Sequence, residues 1–395
     1  MIEYFDSFYG GHIEMDGLGF AGTPVENRRP SNNDLVTVYR EAREFAELMD
    51  RTGYDTFWVG EHHFQREGYG GTTNVPMWAL YLSQFTERLK IGAMFNTVPA
   101  WHPLRLAEDF ATADIMTGGR VRFGIGRGYI YREVETLGGP LIDNDANREL
   151  FEEQVEIILK AFSEGSFSHR GRHYNLPPQV PLRLGTLEEI TLVPRPITQP
   201  VEVWQPITNA TQRGLDFMAH HGIKGVIVGD TVPGGRAENL ATQYRDALAR
   251  SGRETELGED IALGVNLHMA DTRERAMREA TPYHEEWLKA VVPLGRMPHL
   301  SKEQIQATAD PAKAPLAGLP TVEDLVERGT WVCGPPEHVR ETIADIQDRF
   351  PGLKRVFVQA GGLGIPPRVM RDDLEWFAAE VMPEFQPVGG AGESD

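Results

Sequence analysis

The chain has 395 residues, 41% of them hydrophobic, a formal net charge of −19 and a single cysteine, Cys333. A surface this acidic does not suit nucleic acid or an anionic membrane, both of which bind through basic patches. One cysteine excludes an internal disulfide framework and fits the reducing cytoplasm, and neither a signal peptide nor an apolar run of ~18 residues is evident.

Strand-like and helix-like runs alternate from end to end. A strand is expected over 2–8 and a helix over 34–51 with Asp34 as its cap, followed by a strand over 54–60 and a helix over 75–86. Residues 90–97 read as the third strand and 103–117 as a helix, with Pro103 in its first turn and Gly118-Gly119 ending it. A fourth strand over 120–126 precedes a helix over 146–162. Strands over 201–205, 224–229, 260–268 and 354–359 complete eight, with helices over 211–221, 236–250, 272–291 and 366–381.

Such alternation demands parallel strands joined by right-handed crossovers. Eight units predict an α/β fold of the closed (β/α)8 TIM-barrel type, whose length range of roughly 200 to 400 residues includes this chain. An open doubly wound sheet would carry its phosphate loop after the first strand. There the chain reads Tyr9-Gly10-Gly11-His12-Ile13-Glu14-Met15-Asp16, which lacks that pattern. One barrel domain is expected over 1–386, with insertions at about 165–200 and 293–330 and a flexible Gly-rich tail over 387–395. The second insertion, rich in proline, reads either as a lid or as a surface loop.

Arg122-Phe123-Gly124-Ile125-Gly126-Arg127-Gly128-Tyr129 invites a dinucleotide reading, but the glycine spacing fails Gly-x-Gly-x-x-Gly. What remains is a strand end that sets the cation Arg127 beside backbone open to close approach, which a phosphate-bearing cofactor would use. Glu61-His62-His63-Phe64 directly follows the second strand, where barrel enzymes gather their functional groups. A histidine there can serve as general base or proton donor. Glu-His-His is not a His-Glu-x-x-His metal helix, and no other metal-ligand cluster is visible.

Together with Trp101-His102-Pro103-Leu104-Arg105-Leu106-Ala107-Glu108-Asp109, these motifs resemble the bacterial luciferase-like flavin monooxygenases, in order and in separation. The likeness runs more weakly to Phe377-Ala378-Ala379-Glu380-Val381-Met382-Pro383. The resemblance implies the same barrel, His62 as the catalytic histidine, and a flavin ring resting on Met94, Phe95 and Asn96 over a cis peptide between Met94 and Phe95. It implies Arg127 as the phosphate ligand, with Arg148 a second cation and Thr211 adding a hydroxyl and helix-end amides unless it is only a helix cap. Gly214 stands where a second hydroxyl is common in the family, and Arg213 is the candidate to compensate. Gly126 replaces the luciferase cysteine and is expected to open space, so light emission is not implied. Tyr129, Tyr131, Trp204, Gln205 and His268 are expected to complete the pocket, Tyr129 and Gln205 against the cofactor.

The reaction so implied uses exchangeable reduced FMN and dioxygen, through a flavin C4a-peroxide, to oxygenate a small organic compound such as a carbonyl. With no second nucleotide motif, reduced flavin would come from a separate NAD(P)H:flavin reductase, and the family implies a homodimer. A coenzyme F420-dependent oxidoreductase of the same fold and a non-catalytic flavin-binding partner subunit are the alternatives.

Overall fold

The computed structural model describes residues 1–385 except 209–210, 296, 298–299 and 361–362, so the tail expected over 387–395 lies outside the described residues. The strands that position the site are β1 (Tyr4–Tyr9), β2 (Thr56–Val59), β3 (Lys90–Ala93), β4 (Asn96–Thr97), β5 (Val121–Gly126) and β6 (Val203–Pro206). They continue as β7 (Lys224–Val228), β8 (Ile261–Met269), β9 (Trp331–Gly334) and β10 (Arg355–Gln359). Parallel pairing runs β1–β2–β3–β5–β6–β7–β8–β10 and returns to β1, closing an eight-stranded barrel.

Around it lie α1 (Thr37–Thr52), α2 (Val75–Leu82), α3 (Pro103–Thr117), α4 (Tyr131–Thr136) and α5 (Asn144–Ser163). α6 (Gln212–His221), α7 (Arg236–Arg250), α8 (Arg273–Ala290), α9 (Pro336–Arg349) and α10 (Pro367–Glu380) follow. Their apolar faces meet the outward residues of the strands, as where Phe110 and Phe162 converge on Phe123. Inside the barrel a separate cluster joins Trp58, Trp204, Val226, Ala262 and Phe357 to Phe8, Met94 and Phe95. Gly92 and Gly264 make room for it, since a Cβ at either would overlap the ring of Trp58 or Phe357. The N-terminal end of the barrel is sealed by Arg355, whose Nη1 lies 2.6 Å from Asp6 Oδ1 and 2.8 Å from Asp55 Oδ2.

Three sequence expectations need correction. Asp34 is not a cap: Ser31 caps a short turn, Asn32–Leu35, and Asp34 reaches back to accept from the Ser31 amide at 2.8 Å, forming a capping box. The third strand is not continuous to 97, because the Met94–Phe95 peptide is cis and pairing resumes only at Asn96, opposite Ile125. A strand and helix at β9 and α9 were not anticipated. They exist because β8, nine residues long, pairs with β7 along its first half and with β9 along its second.

The excursion over 165–200 holds two short hairpins, His169–Arg170 with Asn175–Leu176 and Pro181–Leu182 with Gly185–Thr186. Glu153 of α5 fastens it by accepting from His169 Nε2 at 3.0 Å and from the amides of Arg172, His173 and Tyr174. The second insertion begins at the site, where Gly295 bridges to Ile130. It continues in a helix, Lys302–Thr308, beside an apolar cluster of Phe20, Leu288, Val292 and Ala314. Among the described residues no helix is long and apolar enough to cross a membrane.

Candidate active site

After β2 the side chains of Glu61, His62 and His63 take different partners in alternation. Glu61 and His63 pair with each other: Glu61 Oε1 accepts from His63 Nε2 at 2.7 Å and from Trp101 Nε1 at 2.8 Å. Its Oε2 accepts from the Thr97 amide at 2.7 Å, tying the end of β2 to β4. His62 meets a different carboxylate. Its Nδ1 lies 3.1 Å from Glu133 Oε1, which also accepts from the His63 amide at 3.0 Å and Gln65 Nε2 at 2.6 Å.

Burial alone would push the Glu133 carboxyl up. The His62 bond and charge, with the bonds from Gln65 and the His63 amide, outweigh burial and hold it below the ordinary carboxylate value. An ionised Glu133 can only accept, so the proton of a neutral His62 sits on Nδ1 and the lone pair on Nε2. That is the arrangement of a general base whose imidazolium is stabilised from behind. Sequence reading missed Glu133, which is 71 residues from its partner. The available signal was an acid in the first turn of a short helix directly after Gly126-Arg127-Gly128-Tyr129.

His62 lines a cavity of about 90 Å³ at the C-terminal strand ends, with Phe8, His12, Tyr129, Trp287 and Gln359 among its walls. The Tyr129 ring stands edge-on to His62 at 6.1 Å. His12, 2% exposed, was also missed; it lies within a glycine-led loop that carried no motif. Its Nε2 is 3.3 Å from the Ile365 carbonyl. Burial, only partly offset by that bond, lowers its pKa from 6.5 to about 4.

Met94 and Phe95, joined by the cis peptide, pack against the barrel cluster, as does Phe8 of the cavity wall. Asn96 Nδ2 donates to the Gly124 carbonyl at 2.8 Å, while its buried Oδ1 has no partner among the described residues. Nor, among the described residues, has the buried Oε1 of Gln205. Asn96 is level with Ile125, and Gln205 follows Trp204, which is level with Gly124, so the two amides flank one stretch of β5. Gly126 does not open space as expected, because a Cβ there would already be 3.1 Å from Phe95 Cβ.

The cations divide their work. Arg127 donates from Nε to Asn147 Oδ1 at 2.9 Å and from Nη2 to the Asn144 carbonyl at 2.8 Å, fixing the start of α5 to the end of β5. Arg148 projects from the next turn toward the N-terminus of α6. A Cβ on Gly214 would meet Arg148 Nη1 at 3.3 Å and Thr211 Oγ1 at 3.0 Å, so the glycine leaves both groups uncrowded. Thr211 Oγ1 itself caps α6 by accepting from the Gly214 amide. Arg213 is turned outward to Glu152, 3.1 Å from its Nε.

Three expected pocket residues stand elsewhere. Tyr131 is the exposed first residue of α4, and Trp204 packs within the barrel against Trp58. His268 is buried between Asp373 of α10, 2.9 Å from its Nδ1, and Glu279 of α8, 3.1 Å from its Nε2.

The sequence profile of the luciferase-like monooxygenases matches residues 18–351. The chain belongs to this family. Among luciferase-like relatives, 4-hydroxyprotoasukamycin monooxygenase of Streptomyces nodosus subsp. asukaensis is 25% identical over 359 residues, 89% of this chain and 87% of that one. The fold matches the FMN complex of the oxygenating constituent of 3,6-diketocamphane monooxygenase from Pseudomonas putida, with a TM-score of 0.71 and 17% identity over 97% and 99% of the two chains. It also matches an F420-dependent secondary alcohol dehydrogenase holding an F420-acetone adduct, with a TM-score of 0.65 and 14% identity over 96% and 98%. As a luciferase-like flavin-dependent monooxygenase, the chain offers features that fit a flavin mononucleotide. Orphaned amide oxygens stand at Asn96 and Gln205, and a guanidinium lies over a capped helix N-terminus at Arg148 and Thr211.

Proposed function

We propose that the protein is an FMNH2-dependent monooxygenase that uses dioxygen to oxygenate a small organic substrate, with His62 as its catalytic base. The observation that carries the reading is the pairing of His62, on the wall of an aromatic cavity, with the buried carboxylate of Glu133. Reduced flavin, when bound, supplies the electrons that activate dioxygen. Met94, Phe95 and Asn96 would support its ring, and Arg148 with the α6 amides would hold its phosphate. Arg127 acts by fixing the helix from which Arg148 projects. His62 takes a proton at Nε2 while Glu133 balances the charge that results, and Tyr129 and Trp287 keep water from the reacting centre.

The chain would receive reduced FMN from a separate NAD(P)H:flavin reductase and act in the cytoplasm as a homodimer. The fold match to an F420 enzyme supports a second reading, in which the same cradle holds F420 and the reaction is hydride transfer. A non-catalytic subunit would need neither member of the His62–Glu133 pair. Anaerobic titration with reduced FMN and reduced F420, followed by mixing with aerated buffer, separates the three. Binding of FMNH2 with a transient, oxygen-dependent spectral change is the expected result. Binding of F420 alone, or of FMNH2 with no oxygen response, overturns it.

A further inference from the structure

The cavity beside His62 is uncharged. None of the described residues that line it is Lys, Arg, Asp or Glu, so a charged group entering it would find no permanently charged counter-ion, and burying an unpaired charge is costly. Several of its polar groups are already spent. The Tyr69 hydroxyl donates to Glu286 at 2.9 Å, and the Gln65 amide donates to Glu133 and accepts from Arg132. Phe8, Tyr129 and Trp287 supply aromatic walls.

Two histidines then set the hydrogen-bonding sense of the cavity. A carbonyl oxygen can only accept, so the contact between His12 Nε2 and Ile365 requires the proton on Nε2. His12 therefore presents Nδ1 as a lone pair, and no described residue bonds to it. Its deep burial keeps the ring neutral, so Nδ1 does not become a donor near neutral pH. Neutral His62 shows the mirror pattern, with Nδ1 committed to Glu133 and the lone pair on Nε2. A carbonyl oxygen would face lone pairs from both rings and could be met only by the Tyr129 hydroxyl or the Gln359 amide elsewhere on the wall. A hydroxyl group would satisfy one of them.

Resting on the monooxygenase reading, we infer that this cavity takes a small, uncharged ring compound bearing a hydroxyl group, in its simplest form a phenol, whose O–H donates to Nδ1 of His12. His12 is then a substrate-binding residue, and the preference runs toward a hydroxylated ring over the same ring with its hydroxyl masked, and away from carboxylates.

Calorimetric titration of the FMN-loaded protein with four probes of matched size tests this: 4-ethylphenol, 4-ethylanisole, 4-ethylbenzoate and 4-methylcyclohexanone. The phenol should bind roughly tenfold tighter than its methyl ether, the scale of one hydrogen bond, and the benzoate should bind weakest. In His12→Gln, whose amide can still donate to Ile365, the phenol should fall to the level of the ether while ether and FMN affinities stay unchanged. Equal binding of phenol and ether, tight binding of the benzoate, or a phenol preference that survives in His12→Gln would each overturn the inference. If His12→Gln loses its near-UV circular dichroism, the ranking of the four probes on the wild-type protein decides alone. Phenol binding to a protein that does not take up FMN would sink the flavin reading and leave this one. FMN uptake with no ranking among the probes would do the reverse.

Discussion

Replacing His12 by glutamine separates its hydrogen bond from its capacity to take up a proton. The ring is 2% exposed, and folding lowers its pKa from 6.5 to about 4. Between those values the unfolded chain binds a proton that the folded chain refuses, so stability falls as pH falls. The loss begins just below pH 6.5 and is complete near pH 4. At about 1.4 kcal/mol per unit, the shift is worth roughly 3 kcal/mol, a large share of a typical folding free energy. The His12→Gln protein keeps a donor for Ile365 but loses ring contact with Tyr9, whose centroid lies 5.4 Å away. It should therefore be about 1 kcal/mol less stable than wild type at pH 7. At pH 4 it should be more stable than wild type by about 2 kcal/mol, because glutamine carries no titration. Urea unfolding at half-unit steps from pH 4 to 7 gives the difference curve, in which titrations common to both proteins cancel. A difference that does not change sign or slope across that window would refute a buried, neutral His12.

Glu133→Gln keeps an acceptor for His62 but removes the charge, so turnover should drop about 10²-fold with FMN affinity within twofold. Combined with His62→Ala it should cost no more than the worse single change, and steady-state rates of the three variants would show this. Arg148→Ala should weaken FMN binding by about 10 to 100-fold, a charge-assisted bond, in a flavin-fluorescence titration. Arg127→Ala should instead lower stability by about 1 kcal/mol through the start of α5 and change FMN affinity less, which thermal unfolding beside the same titration would check. Gly264→Ala forces a methyl into the ring of Phe357 inside the barrel and should cost about 3 kcal/mol in urea unfolding. Shortening the obstruction with Phe357→Leu should recover part of that loss.

Much of the barrel was legible because its signals are local. β2, β3, β5 and β7 are short, largely apolar runs, and α3 is bounded by Pro103 in its first turn and Gly118 at its C-cap. β9 was not legible. Trp331–Gly334 is four residues long and runs into Gly334-Pro335-Pro336, which reads as a turn, and only the overhang of β8 makes it a strand. In the site, His62 could be found because its neighbours form a motif, and Arg148 because it begins a helix. Glu133 and His12 could not, since each gains its role from a partner distant in sequence: His62 for the first and the carbonyl of Ile365 for the second. Arg127 drew attention as a lone cation after glycines, yet its bonds to Asn144 and Asn147 arise only once α5 has docked.

The alternation of Glu61, His62 and His63 also limits how this chemistry can be moved. The two adjacent rings are braced by separate carboxylates, Glu61 from within the segment and Glu133 from α4. Grafting the four-residue motif onto another barrel would thus transfer the braced His63 and leave His62 without its counter-charge. The smallest portable unit is discontinuous: the segment after β2, plus the turn of α4 that carries Glu133. Deleting or inserting one residue between Val59 and His63 would disturb both pairings at a stroke, so this segment should tolerate substitution far better than any change in its length.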